Sequence, residues 1–374
     1  MKFTITQDKL NQVLSLVGKA VSPRSLNLVL THVRVVVRKK SVTFTGSDGD
    51  FTIEQSMAID SAKDGAILVP ARLFSDLVSR LPHAKEITLT ADGGTLKVSC
   101  GLSDYEIRVL PDENFPTLPL FEESRLAEVD ASVFKTSLNR TTFCSLKDPT
   151  GTTSHYTQGV LINFKDENLD VVGTDGHRLA FVQLPNPAAE VKDKSLLVPT
   201  LIIDELRKAL PAESTPLGIY SKDNQVFFTF NNTVFAGTLY DIRFPDYRKV
   251  IPKEAKSVIS VNRSALRDAV QRVMIVFRVR EQNPVIRLET KKNMLLISSE
   301  SPEIGKGVEE LPVNPGEPFV DLRIALNPSY LADVLSVLDS ESVELHWISE
   351  VNPLKLLIPE DPTFSYIVMP IRMD

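Results

Sequence analysis

Asp175 and His177 stand two residues apart in the run Gly173-Thr174-Asp175-Gly176-His177-Arg178-Leu179-Ala180, and a carboxylate beside an imidazole could move a proton. Covalent or metal-assisted catalysis with that pair needs a nucleophile or a metal as well. Neither partner is evident. The five histidines, His32, His83, His155, His177 and His346, are scattered without ligand spacing. Two cysteines, Cys100 and Cys144, are too few for a disulfide scaffold or a cysteine zinc site, and their apolar surroundings suit core packing. The GxxxxGK[ST] loop that cradles nucleotide phosphates is missing, as are GxGxxG, HExxH and GxSxG. The expectation is therefore no catalytic residue, no metal and no cofactor. An Asp-Gly turn between two strands explains the backbone needs of the run and presents His177 and Arg178 to a partner. An unrecognised enzyme using His177 and Asp175 is the alternative.

The elements that would carry this turn repeat along the chain. Val69-Pro70-Ala71-Arg72-Leu73-Phe74-Ser75-Asp76-Leu77 returns 129 residues on as Val198-Pro199-Thr200-Leu201-Ile202-Ile203-Asp204-Glu205-Leu206. A third copy, Leu326-Asn327-Pro328-Ser329-Tyr330-Leu331-Ala332-Asp333-Val334, follows after another 128. Apolar residues at i, i+1, i+4 and i+8 give each copy one helical face, and a nearby proline suits the first turn. Phe115-Pro116 returns as Phe244-Pro245, and Gly46-Ser47-Asp48 as Gly173-Thr174-Asp175 and then Ser298-Ser299-Glu300. Further helices are expected near 7–20, 131–144 and 262–274, each after a short alternating strand. Between the helices lie β-rich runs such as 32–37, 41–45, 87–90, 95–99, 226–230, 285–288 and 294–298. Each unit reads strand, helix, strands, helix, strands: an α+β plan of two helices packed on antiparallel sheet per domain. The expected domains are 1–122, 123–253 and 254–374, divided near Pro116, Pro119 and Pro252.

At 374 residues the chain fits two or three domains, and a 43% hydrophobic, 24% charged composition is that of a globular protein. No run approaches the roughly 18 apolar residues of a membrane helix, and the alternating N-terminus lacks an apolar signal core, so a cytoplasmic protein is expected. Net charge is −6, yet the six helical segments together carry +5, leaving −11 for the rest. A basic helical face set against an acidic remainder suits a curved object whose inside meets phosphate. Arg24, Arg72, Lys135, Arg140, Arg263 and Arg267 are the expected phosphate contacts, together with Tyr156; they position without reading sequence. A three-repeat interaction scaffold that binds proteins and no DNA is the other alternative.

TDGHRLA at 174–180, RFPDYRKV at 243–250 and YIVMPIRM at 366–373 resemble signatures of the bacterial DNA polymerase III beta subunit (beta sliding clamp) family. So do MKFT at 1–4, VPAR at 69–72, LP at 110–111 and FP at 115–116, and the resemblance runs the full length. It implies three domains of the DNA-clamp type, a head-to-tail dimeric ring around double-stranded DNA, and a place in the nucleoid during replication. It also implies a pocket where clamp loader, replicative polymerase and repair proteins dock a short motif with a glutamine and bulky apolar residues. Carried over by motif, that pocket includes Thr174, Gly176, His177, Arg178, Leu179, Pro245, Lys249, Val250, Ile367, Met369, Pro370, Ile371 and Arg372. Met369 is adaptable, which suits several partners. Thr157 stands where a leucine often lines the pocket, Lys249 where some members have arginine, and the 147–153 stretch looks longer than usual. The implied subunit interface sets Tyr105 and Ile107 against Ile275 and Val276, with Arg272, Arg278 and Arg280 beside the latter pair opposite Asp104 and Glu106, complementary charge that would fix orientation.

Overall fold

Lys2 to Thr6 alternates exposed and buried side chains, with Phe3 and Ile5 turned inward, and so pairs as a strand. It runs directly into Gln7–Val17, where Leu10, Val13, Leu14 and Val17 recur at helical spacing and are buried. This pair opens the first of three like runs of elements. The computed structural model describes residues 1–59, 62–147, 153–188, 191, 193–277, 284–301 and 304–372. Among them the first repeat holds β1 (Lys2–Thr6), α1 (Gln7–Val17), β2 (His32–Arg38), β3 (Ser41–Ser47), β4 (Phe51–Ala58), β5 (Gly65–Pro70), α2 (Ala71–Ser79), β6 (Glu86–Asp92), β7 (Thr95–Cys100) and β8 (Ser103–Arg108). The second holds β9 (Arg125–Asp130), α3 (Ala131–Thr141), β10 (Gly159–Lys165), β11 (Asn168–Thr174), β12 (Arg178–Pro185), β13 (Lys194–Pro199), α4 (Thr200–Ala209), β14 (Pro216–Lys222), β15 (Gln225–Phe230) and β16 (Thr233–Thr238). The third holds β17 (Ser257–Asn262), α5 (Arg263–Met274), β18 (Ile286–Lys291), β19 (Met294–Ser301), β20 (Gly305–Pro312), β21 (Arg323–Leu326), α6 (Pro328–Val337), β22 (Ser342–Trp347), β23 (Leu354–Ile358) and β24 (Asp361–Val368).

The helices fall where the periodicity predicts. α4 ends at Ala209 because Leu210, the residue before Pro211, is pushed out of the helical region, and α2 ends at Ser79, three residues short of Pro82. The 148–152 part of the 147–153 stretch, and Arg278 and Arg280, lie outside the described residues.

Packing divides the chain into two compact units, Met1–Phe134 with Asp204–Leu239, and Lys135–Ile203 with Tyr240–Asp374. In the first unit one antiparallel sheet has the order β9-β14-β15-β16-β4-β3-β2-β5, and another adds the short Ala62–Lys63 to β1-β6-β7-β8. In the second unit one sheet runs β13-β10-β11-β12-β24-β23-β22-β17 and ends on Asn314–Pro315; the other is β20-β19-β18-β21. α1 packs on α2 and α5 on α6. The units cut across the second repeat because its sheets continue into its neighbours'. β16 pairs β4 from Thr233↔Gln55 to Gly237↔Phe51, and β24 pairs β12 from Val368↔Arg178 to Phe364↔Val182. In both seams the last strand of one repeat closes on the fourth strand of the repeat before it. The leftover equivalents, β8 and β20, are edge strands.

Two glycines let helix and sheet approach. A Cβ on Gly46 would sit 2.0 Å from the Val17 carbonyl oxygen, and one on Gly173 2.2 Å from that of Thr141. The hairpin registers put Ser299, opposite Gly307, at this place in the third repeat, one residue beyond the alignment read from sequence. There the Ser299 hydroxyl donates to the Val273 carbonyl at 2.8 Å, so a hydrogen bond replaces the close approach.

A candidate partner-binding pocket

Three segments of the second unit converge, with Tyr156, on one cavity of about 170 Å3. The first is the turn between β11 and β12. Thr174 Oγ1 donates to the Arg178 carbonyl at 2.6 Å, and Asp175 Oδ1 accepts from the amides of His177 (2.9 Å) and Arg178 (3.0 Å). Gly176, at φ +89°, takes the left-handed conformation this turn requires. The second is 244–250, whose Tyr247–Val250 part is a short 3-10 turn. The third is the end of β24, where Ile367 lies directly across from Leu179 and Met369 N donates to the His177 carbonyl at 2.9 Å.

Thr174, Gly176, His177, Arg178, Leu179, Pro245, Val250, Ile367 and Met369, all expected from the motifs, line this cavity. Four expected residues do not. Lys249 reaches out to Asp246 at 3.3 Å, Ile371 N is tied to the Ala325 carbonyl at 2.8 Å, and Pro370 and Arg372 lie beyond the cavity along the same tail. Tyr156, expected at DNA, lines the cavity, its ring 6.1 Å from that of Phe244. Thr157, at a position where a leucine is expected to line the pocket, is not in the lining; its hydroxyl donates to the Ser154 carbonyl at 2.7 Å. Phe244, Asp246 and Tyr247 complete the lining and were missed, though two aromatics flanking Pro245 were a visible signal. Behind the walls Leu161, Val172, Leu179, Leu197, Tyr247 and Ile367 form one buried cluster.

Asp175 serves the turn. Its Oδ2 accepts from Arg178 Nε at 2.9 Å, so both carboxylate oxygens hold the chain in place. The Arg178 guanidinium also donates to Asp333 of α6 (2.6 Å) and the Phe143 carbonyl (3.1 Å), and lies 4.7 Å over the Tyr330 ring. Burial opposes its charge, but the acidic groups around it, Asp333 and Asp175 among them, more than offset this and leave its pKa raised. Burial likewise pushes the Cys144 thiol well above its ordinary value, which keeps it from acting as a thiolate nucleophile. Among the described residues no group of histidine, cysteine and carboxylates could hold a metal ion, and no helix is long and apolar enough to cross a membrane. What the cavity can do is take up apolar side chains, each contributing about 1.5–3 kcal/mol when fully buried.

The residues expected at DNA differ in how free they are. Arg24 is exposed after α1, and the Arg72 side chain is 90% exposed with Asp76 3.9 Å away. Lys135 is half-buried on α3, and Arg267 is paired with its neighbour Asp268. Arg140 is held by Asp361 at 2.5 Å over the Phe364 ring. Arg263 donates to the Leu335 and Ser340 carbonyls (2.9 and 2.7 Å), satisfying the end of α6. Of the expected interface residues, Tyr105 on edge strand β8 is 45% exposed and Ile275 76%, with Val276 half-buried. Ile107 is 4% exposed: it packs inside its own unit and leaves Tyr105 as the strand's exposed apolar residue.

Residues 1–119, 128–246 and 248–372 match the family models described as the N-terminal, central and C-terminal domains of the DNA polymerase III beta subunit. Over the full length of both chains the sequence is 30% identical to the beta sliding clamps of Synechococcus elongatus and Bacillus subtilis. The fold is similar to the Pseudomonas aeruginosa sliding clamp (DNA polymerase III subunit beta) bound to griselimycin, with TM-score 0.92, 29% identity and all of both chains covered.

Proposed function

The chain belongs to the DNA polymerase III beta subunit (beta sliding clamp) family, and from that premise we propose a processivity factor that closes around duplex DNA as a head-to-tail dimer. As a member of that family it is an accessory subunit without catalysis of its own. The proposed domains are 1–122, 123–253 and 254–374.

The observation that carries ring closure is the rule of the two seams. β16 closes on β4 and β24 on β12, so β8 of a second copy is the natural partner for β20. The position opposite Ile53 is Phe235, and the position opposite Ala180 is Tyr366; both aromatics are fully buried. Its equivalent in β8 is Tyr105, still half exposed. In the same register the partner's Tyr105 faces Gly307, where even a Cβ would come within 3.1 Å of Val276 Cγ2 and 3.0 Å of Ser299 Oγ, so the glycine keeps that face of the strand free of a side chain. One position along, where Ala236 meets Thr52 and Ile367 meets Leu179, the partner's Glu106 faces Lys306. Opposite charges there favour this orientation over others.

The cavity of the second unit serves as the dock for clamp loader, replicative polymerase and repair proteins, through a segment with a glutamine and bulky apolar residues. Its equivalent position in the first unit is polar. Leu161, Val172, Leu179 and Phe181 are replaced there by Arg34, Thr45, Thr52 and Glu54, with Arg34 bonded to Asp112 at 2.8 Å and Thr45 to Glu54 at 3.0 Å. The first unit therefore offers no like apolar dock at that position. Phosphate contacts from Arg24, Arg72, Lys135 and Arg267 are sequence-independent and weak, which lets a topologically linked ring slide. A tethered polymerase then works at high effective concentration. The setting is the cytoplasm, at the nucleoid during replication.

The test is retention on DNA. The protein is loaded onto nicked circular DNA by a clamp loader, washed at high salt, and followed after the circle is cut. Survival on circles and loss from linear DNA is expected. Removal by salt from both forms would refute encirclement and favour a scaffold without it.

A further inference from the structure

Asp170 is out of place in its strand. It lies in β11 within Leu169-Asp170-Val171-Val172, all fully buried, and the equivalent positions in the other repeats are Thr43 and Leu296. A carboxylate with no exposure is costly unless donors surround it. Three do. Tyr247 donates its phenol hydroxyl to Asp170 Oδ2 at 2.5 Å and Arg248 donates Nη2 to the same oxygen at 2.6 Å. Gln183 Nε2 donates to Oδ1 at 3.1 Å. Asn163, oriented by the Ser195 hydroxyl at 2.6 Å, donates in turn to the Tyr247 oxygen at 3.2 Å.

These bonds converge on one short stretch of chain. Tyr247 and Arg248 begin the 3-10 turn whose Val250 lines the cavity, and Pro245 and Phe244 precede them. Apart from these bonds, 244–250 has no strand ladder to hold it: its described backbone contact is the local Lys249 N to Asp246 carbonyl bond at 3.2 Å. The opposite wall, by contrast, is fixed by the β12–β24 ladder. One wall is held by a ladder; the other rests on the packing of Phe244 and Tyr247 and takes its polar anchorage from a single carboxylate.

We infer that Asp170 is the positioning residue of the cavity, anchoring 244–250 from below at the separation from β12 and β24 that admits bulky apolar side chains. The inference rests on the reading of the cavity as a dock for an apolar segment. Because the anchor is charge-assisted and bound on both oxygens, it fixes direction as well as distance. Burial and the Asp170 bond push the Tyr247 phenol up to about 12, which gives the contact its own spectroscopic reporter.

The experiment is calorimetric titration of the full-length protein with a synthetic peptide carrying one glutamine, two leucines and a phenylalanine, comparing wild type with Asp170→Asn and Tyr247→Phe. Asp170→Asn is expected to raise Kd about tenfold at unchanged stoichiometry, with a smaller rise for Tyr247→Phe. Ultraviolet titration of Asp170→Asn should show one tyrosine ionising at lower pH than in wild type, a signal absent from Tyr247→Phe. A purely structural role for Asp170 would lower the fraction of binding-competent protein and leave Kd unchanged, and that result overturns the inference. So does an unchanged Kd alongside a shifted tyrosine. If the wild type itself takes no peptide, the docking reading fails, and the inference with it.

Discussion

Reversing the charge of Glu106 tests the ring at one atom pair. In the register carried over from the two seams, Glu106 of one copy faces Lys306 of the next, and both side chains are exposed in the single chain. A complementary cross-strand pair contributes about 0.2–1 kcal/mol, and like charges directly opposite cost a similar amount. Glu106→Lys therefore costs roughly 1 kcal/mol at each contact. A head-to-tail dimer has two identical contacts, so the dimer loses about 2 kcal/mol, a roughly thirtyfold rise in its dissociation constant. Lys306→Glu should do the same, and the double reversal should return the constant to within about threefold of wild type. Sedimentation equilibrium over a dilution series at low and moderate salt reads all four proteins, with smaller single-variant effects as salt rises. Weakened singles that the double reversal fails to rescue would refute the register while leaving the dimer in place. A wild type that stays monomeric at every concentration would refute ring closure itself.

Three other outcomes are expected. Met369→Glu puts a charge at the mouth of the apolar cavity and should weaken the peptide at least about tenfold in calorimetry, with little change in Tm because Met369 is partly exposed. Gly173→Ala forces a Cβ to within 2.2 Å of the Thr141 carbonyl oxygen, so thermal unfolding should show a loss of roughly 3 kcal/mol, whereas Gly176→Asn, at an open left-handed position, should be close to neutral. Asp130 accepts from the Ser132 and Ser214 hydroxyls and the Val133 amide, which lowers its pKa from 3.8 to about 2. A depressed folded-state value gives stability that is complete above about pH 4 and lost as pH falls toward 2. The Tm gap between wild type and Asp130→Asn should therefore hold from pH 7 to 5 and close toward pH 2; a gap independent of pH contradicts the assignment.

The repeat was legible because its markers are local. A proline before an amphipathic helix, a Gly-x-Asp turn and a Phe-Pro pair each announce themselves within a few residues. The polar turn and the C-terminal strand of the cavity were legible for the same reason, as motifs. What sequence could not give was pairing between distant strands. The third repeat was read one residue out of register because Ser298 and Ser299 are indistinguishable until the hairpin to Gly307 is known. Nothing local announces that the Tyr156 ring meets Phe244, 88 positions on. Arg140 and Arg263 read as free cations from their helices, yet their partners, Asp361 and the end of α6, arrive from far along the chain. Asp170 carried a signal that was not taken up, a single acid in an apolar strand, whose meaning depended on Tyr247 and Arg248.

The shared ladders make the three repeats unequal as parts. Residues 123–253 read as a module in sequence, but β16 and β12 each give up five paired positions to strands outside that span. Excised alone, the middle module would bare two sheet edges that the whole chain covers with β4 and β24, an invitation to aggregation. The repeats are therefore not interchangeable cassettes. A change on one face of a seam has to be answered on the other, so each repeat can drift in sequence only in step with its neighbour, even where the helices and turns it contains are free to vary.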